Sequence, residues 1–62
     1  MQEYETLKRL VVEAEEDVSK AAGGNKAAGT RVRKKMQEIK SAAQDVRKVI
    51  DALSARGLAR YL

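Results

Sequence analysis

At 62 residues the chain has room for one domain, and at this size folding buries only about 60% of the surface the unfolded chain exposes. It contains no Cys and no His, which removes disulfides, thiolate metal sites, the usual general base and the usual zinc ligand, so no catalytic residue, metal site, cofactor or small-molecule substrate is expected. The net charge of +4 is unevenly spread: residues 1–24 carry three cations against six acids, and residues 25–62 carry ten cations against three acids.

Trp and Phe are absent and Tyr4 and Tyr61 are the only aromatics, so the sequence lacks the stacking platform of single-strand binders. Proline is also absent, consistent with an all-helical chain. No apolar run has the length of a membrane span, and the acidic N-terminus is unlike a signal or transit peptide. The protein is expected to stay in the compartment where it is made, away from membranes.

In the first half, Tyr4, Leu7, Val11, Ala14, Val18 and Ala21 alternate in steps of three and four, the apolar seam of a helix that packs on one other helix. This predicts a helix over about 2–22. Gly23 suits the left-handed residue that ends it, and Asn25 suits the N-cap of a second helix, which sets the turn at about 23–25. A turn that short makes the two helices antiparallel neighbours.

The second helix is expected over about 26–56, with Gly29, Val32, Met36, Ile39, Ala43, Val46, Ile50 and Leu53 as its seam. Folded about the turn, the seams pair as Ala21 with Gly29, Val18 with Val32, Ala14 with Met36, Val11 with Ile39, Leu7 with Ala43 and Tyr4 with Val46. The same register brings Glu15 near Arg33 and Asp17 near Lys35. Gly29 costs about 1 kcal/mol relative to Ala in a helix interior. Either close approach to Ala21 or close approach of a phosphate would account for it; alternatively the helix begins at Thr30 as N-cap, with 24–29 as loop.

The fold class is therefore all-α, an antiparallel helical hairpin in one domain spanning 1–62, with a longer second helix. That extra length, with a tail at 57–62 beginning at Gly57, which suits a C-cap, leaves Val49, Ile50, Leu53, Leu58, Tyr61 and Leu62 without a partner in the hairpin, and Leu10 adds apolar surface outside the seam. A homodimer, as a four-helix assembly, is the expected way to cover them.

Lys26, Arg31, Arg33, Lys34 and Lys35 surround the turn and the first turns of the second helix with no acid among them. A helix N-terminus favours negative charge by roughly 0.3–1 kcal/mol per group, so this arrangement suits an external anion, with phosphate the leading candidate. Lys26, Arg33, Lys40 and Arg47 recur at intervals of seven and form one stripe; Lys34 and Lys48 sit beside it, and Lys8 lies opposite Lys40. Nothing is arranged to read base edges, so the expected partner is DNA, held non-specifically by its phosphates, and RNA phosphates would satisfy the same contacts. The competing reading is a helical interaction module whose apolar C-terminal tail docks a protein. A basic amphipathic helix could also lie on anionic lipid, against which count the missing Trp and Phe and a seam already used for pairing.

The segment Gly24-Asn25-Lys26-Ala27-Ala28-Gly29-Thr30-Arg31-Val32-Arg33 resembles the G-N-K-A-A-x-x-R-V-R signature of the small bacterial linker-histone-like proteins, typified by the chlamydial chromosome-condensing histones. The match continues weakly through Lys34-Lys35-Met36-Gln37-Glu38-Ile39-Lys40. The resemblance implies a nucleoid-associated protein of the bacterial cytoplasm that binds and compacts DNA, with Lys26, Arg31 and Arg33 at the family's basic positions. Chlamydial members carry a Lys/Ala/Pro-rich tail, absent from this sequence, so oligomerisation is expected to multiply weak sites in its place.

Overall fold

The structure, a computed structural model, describes residues 1–56, with side chains described to Ser54. Two helices, α1 (Gln2–Ala22) and α2 (Lys26–Arg56), pack against each other as an antiparallel hairpin, so the all-helical expectation holds. Glu3 and Glu5 lie in the first turn of α1 and Lys20 in its last, each on the side that the helix dipole favours.

The chain reverses through a tight glycine cap. The Asn25 N–H donates to the Lys20 carbonyl at 3.0 Å and the Gly24 N–H to the Ala21 carbonyl at 3.0 Å, the paired bonds of a Schellman motif. That motif needs one left-handed residue, and it is Gly24, at φ 101°, rather than Gly23, whose φ is −83°. Asn25 then caps α2, its Oδ1 accepting from the Ala28 N–H at 2.9 Å. The alternative start at Thr30 is excluded, because the Thr30 hydroxyl donates to the Lys26 carbonyl, at 3.4 Å, within a helix already formed.

The helices meet along part of the expected seam: Leu7, Ala14, Ala21, Val32, Ile39 and Val46 turn inward as expected, but Tyr4, Val11, Val18, Met36, Ile50 and Leu53 are exposed. Among the described residues only Ala14, Ala28 and Ala42 are buried, at 3%, 0% and 6% exposure, and they mark the line of closest approach. On α1 the half-buried residues beside Ala14 are Leu7, Leu10, Asp17 and Ala21; on α2 they include Val32, Lys35, Ile39, Val46 and Val49. Each helix is thus turned by about one heptad position, so that Ala28, Lys35, Ala42 and Val49 take the place expected for Gly29, Met36, Ala43 and Ile50. Small Ala side chains permit this approach, and the Lys35 stem lies along the seam while its ammonium reaches acids at the edge.

Two expectations about uncovered residues change accordingly. Leu10 and Val49 are half-buried within the hairpin instead of standing outside it. Ile50 and Leu53 are each 42% exposed, on the part of α2 that runs past the start of α1. Leu58, Tyr61 and Leu62, with Gly57, lie outside the described residues.

Candidate nucleic-acid interface

The rotation of the helices gives the hairpin two unlike edges. On one, the Arg31 guanidinium forms two hydrogen bonds to the Asp17 carboxylate, Nε to Oδ2 at 3.0 Å and Nη2 to Oδ1 at 2.9 Å. One turn along, Lys35 Nζ reaches Glu13 Oε1 at 3.1 Å and Glu38 Oε2 at 3.3 Å. Arg9 adds a longer contact to Glu13 at 3.8 Å. Acids four apart on α1 and cations four apart on α2 run in opposite directions, as antiparallel helices require.

These pairs hold charge in place. The hydrogen bonds from Arg31 keep the Asp17 carboxyl below its usual range and raise the guanidinium's own affinity for its proton. Hydrogen bonds to Glu13 and Glu38 likewise raise the Lys35 ammonium above its ordinary value. The expected pairs Glu15 with Arg33 and Asp17 with Lys35 are replaced: Asp17 binds Arg31, Lys35 binds Glu13, and among the described residues neither Glu15 nor Arg33 is in an ion pair.

The opposite edge is open. A hollow lined by Val11, Ala14, Val18, Met36 and Ile39 runs between the helices with Glu15 and Ser19 on its α1 side. A second hollow beside the turn is lined by Ala21, Gly24, Asn25, Lys26, Gly29, Thr30 and Arg33. A Cβ placed on Gly29 would meet nothing within 4 Å, so close packing against Ala21 does not explain this glycine.

Lys26 and Arg33 rim the turn hollow, and Lys40 and Arg47 continue their column at one-heptad steps, each one turn from an open-edge residue such as Met36 or Ala43. All four are exposed and in no ion pair among the described residues. Lys34 and Lys48 are also exposed and unpaired, but each is turned about 100° from its neighbour in the stripe and faces outward from the hairpin. Lys8, expected to extend the stripe, is instead engaged by Glu5 at 3.1 Å and lies 5.1 Å from the Tyr4 ring centroid.

Of eight cations singled out from the sequence, the structure leaves Lys26, Arg33, Lys34, Lys40, Arg47 and Lys48 open and commits Arg31 and Lys35 to α1. Glu13 and Asp17 are spaced as Arg31 and Lys35 are, a match that becomes a pairing once the rotation of the helices brings those faces together. At the helix start, Asn25 satisfies the Ala28 N–H, while the N–H groups of Lys26 and Ala27 have no acceptor in a helix that begins there. The α2 first turn contains no acid. Exposed N–H groups, an uncovered glycine and two cations therefore share one concave surface suited to an anion.

Among the described residues no helix is long and apolar enough to cross a membrane. No curated protein and no solved structure matches the chain. The family model of the histone H1-like protein Hc1 matches residues 1–56, which include both helices and the whole basic ridge, and the chain belongs to that family.

Proposed function

We propose that this protein is a histone-like, nucleoid-associated architectural DNA-binding protein that grips phosphates without reading sequence. Six exposed cations that have no acidic partner among the described residues, Lys26, Arg33, Lys34, Lys40, Arg47 and Lys48, on one helix of a histone H1-like family member carry the reading. The turn hollow offers backbone N–H groups and the Lys26 and Arg33 charges to one phosphate; Lys40 and Arg47, each about 10 Å further along α2, reach others. Arg31 and Lys35 are withdrawn from the contact set, since each would have to leave a carboxylate partner to bind DNA. The role is architectural and needs no catalytic group or cofactor, and its place is the bacterial nucleoid.

The active form is a homodimer. Val11, Val18, Met36, Ile50 and Leu53, each 41–45% exposed, provide apolar surface that a second copy would cover. Pairing also doubles the number of phosphate contacts.

The test is a fluorescence-anisotropy salt titration on random-sequence duplex. Four contacts per chain give a slope of log K against log salt of about −3.6, and a two-fold site about −7. Binding that does not weaken with salt would reject the proposal. Equal binding to duplex RNA would broaden it to both polymers. A second reading, a helical module that captures another protein, is favoured by the same apolar exposure at Ile50 and Leu53; it predicts no DNA binding even at low salt.

A further inference from the structure

Glu15 and Arg33 are an oppositely charged pair that the hairpin's own register sets level with each other on the open edge. The cross-pairs Glu13 with Lys35 and Asp17 with Arg31 bracket that level from both sides. Glu15 lines the apolar hollow from α1 and Arg33 lines the turn hollow from α2, yet among the described residues each is in no ion pair. The two stand on different helices of the open edge, and both are exposed.

The groove between them needs an occupant that the described chain does not supply.

A second copy can lie on the open edge in two symmetric ways. If α2 faces α2, Arg33, Lys40 and Arg47 of one copy confront the same cations of the other, and the like charges repel. If the two-fold axis runs along the helices, α1 of each copy lies over α2 of the other at unchanged level. The Glu15 carboxylate of one copy then meets the Arg33 guanidinium of the other, twice per dimer, while Val11 and Val18 cover Met36; Lys8 comes level with Lys40, but Glu5 holds the Lys8 ammonium at 3.1 Å and offsets that repulsion.

We propose that the open edge pairs with a second copy of this chain in the latter arrangement, an up-down four-helix bundle closed by Glu15 and Arg33 in trans. The proposal rests on the homodimer reading and adds its geometry: the interface is the middle of the hairpin, α1 against α2, with the turns of both copies at the same end. Both turn hollows then lie side by side at that one end; Arg33, given to Glu15 of the other copy, leaves each hollow's phosphate to Lys26 and the free backbone N–H groups, so the cations that contact phosphate fall from four to three per chain.

The absence of cysteine makes a crosslinking test unambiguous. Chains carrying Glu15→Cys and chains carrying Arg33→Cys are mixed and oxidised; the mixed disulfide is expected to outweigh both symmetric ones. In parallel, Glu15→Arg and Arg33→Glu are each expected to weaken the dimer about tenfold by sedimentation equilibrium, and the double swap to restore most of that loss. Helicity by circular dichroism, unchanged in the cysteine variants, shows that the hairpin is intact. Predominance of either symmetric disulfide, absence of every disulfide in a dimeric protein, or a double swap no better than the single variants overturns the arrangement and leaves the dimer standing. A native chain that sediments as a monomer at all concentrations overturns both.

Discussion

The two edges of the hairpin are built from the same kinds of residue and do opposite things. On the closed edge Asp17 and Glu13 take up Arg31 and Lys35, so four charges are spent on holding α1 to α2 in one register. On the open edge Lys26, Arg33, Lys40 and Arg47 are in no ion pair among the described residues, and apolar side chains between the helices remain about half exposed. Net charge alone would treat all these cations as one basic surface. The difference teaches that cations in this chain have to be sorted by whether an acid lies opposite, because a pairing that fixes the fold cannot also be given to phosphate without loosening it.

That comparison is broken most forcefully by neutralising one edge at a time. Gln at Lys26, Lys40 and Arg47 should make the DNA salt slope shallower by about 2.7 per chain, a loss of several decades of affinity at low salt. Arg33 stays native in that variant, so the dimer contact is untouched. Gln at Arg31 and Lys35 should leave the slope nearly unchanged while lowering the hairpin's melting temperature. Equal loss of slope in the two variants would mean that the edges are not functionally distinct.

A smaller effect is expected at the line where the helices touch. Ala28→Leu forces a larger side chain into a fully buried position and should cost about 1–3 kcal/mol in urea unfolding. Ala27→Leu, one residue away on an exposed position, should cost well under that, and a reversal of the two would refute the rotated seam.

The two glycines should respond with opposite signs. Gly24→Ala puts a Cβ at φ 101° and should destabilise by roughly 1–2 kcal/mol. Gly29→Ala meets open space and should stabilise by about 1 kcal/mol through helix propensity. If Gly29→Ala also weakens DNA binding, the glycine serves the phosphate site; if binding is unchanged, it is merely tolerated.

The smallest shift is in pH dependence, since the closed-edge pairs are exposed to solvent. Asp17 has its pKa lowered in the folded chain, so its stabilisation is present above the ordinary Asp value near 3.9 and disappears as pH falls through the folded value. Lys35 has its pKa raised, so its contribution is present below the ordinary Lys value near 10.4 and is lost only in stronger alkali. Melting followed by circular dichroism should therefore show a loss below about pH 4 that Asp17→Asn reduces. An acid limb of unchanged size in that variant would show that Asp17 does not contribute.

Much of this was legible in the chain itself. Steps of three and four mark both helices, a Gly-Gly-Asn run marks the reversal, and the Lys26-to-Arg33 segment points to an anion and to the histone-like family. The seam was misplaced by one position because both helices carry an apolar stripe wider than one partner can cover. Lys35 and Asp17 made the true contact line look too polar to be chosen, whereas a lysine stem can lie in a seam when its ammonium reaches an acid at the edge. The pairing of Arg31 with Asp17 was obscured for the same reason, since it follows from the rotation and not from either helix alone.

The sequence by itself determined that this protein is helical, that it folds back at about 23–25, and that its second half carries surplus positive charge, because periodicity, capping chemistry and composition act over a few neighbouring residues. Only the tertiary structure decided which face of each helix turns inward, and with it which cations are spent and which remain. That choice depends on how closely Ala14, Ala28 and Ala42 let the two backbones approach, a property of the pair of helices that neither one encodes in isolation.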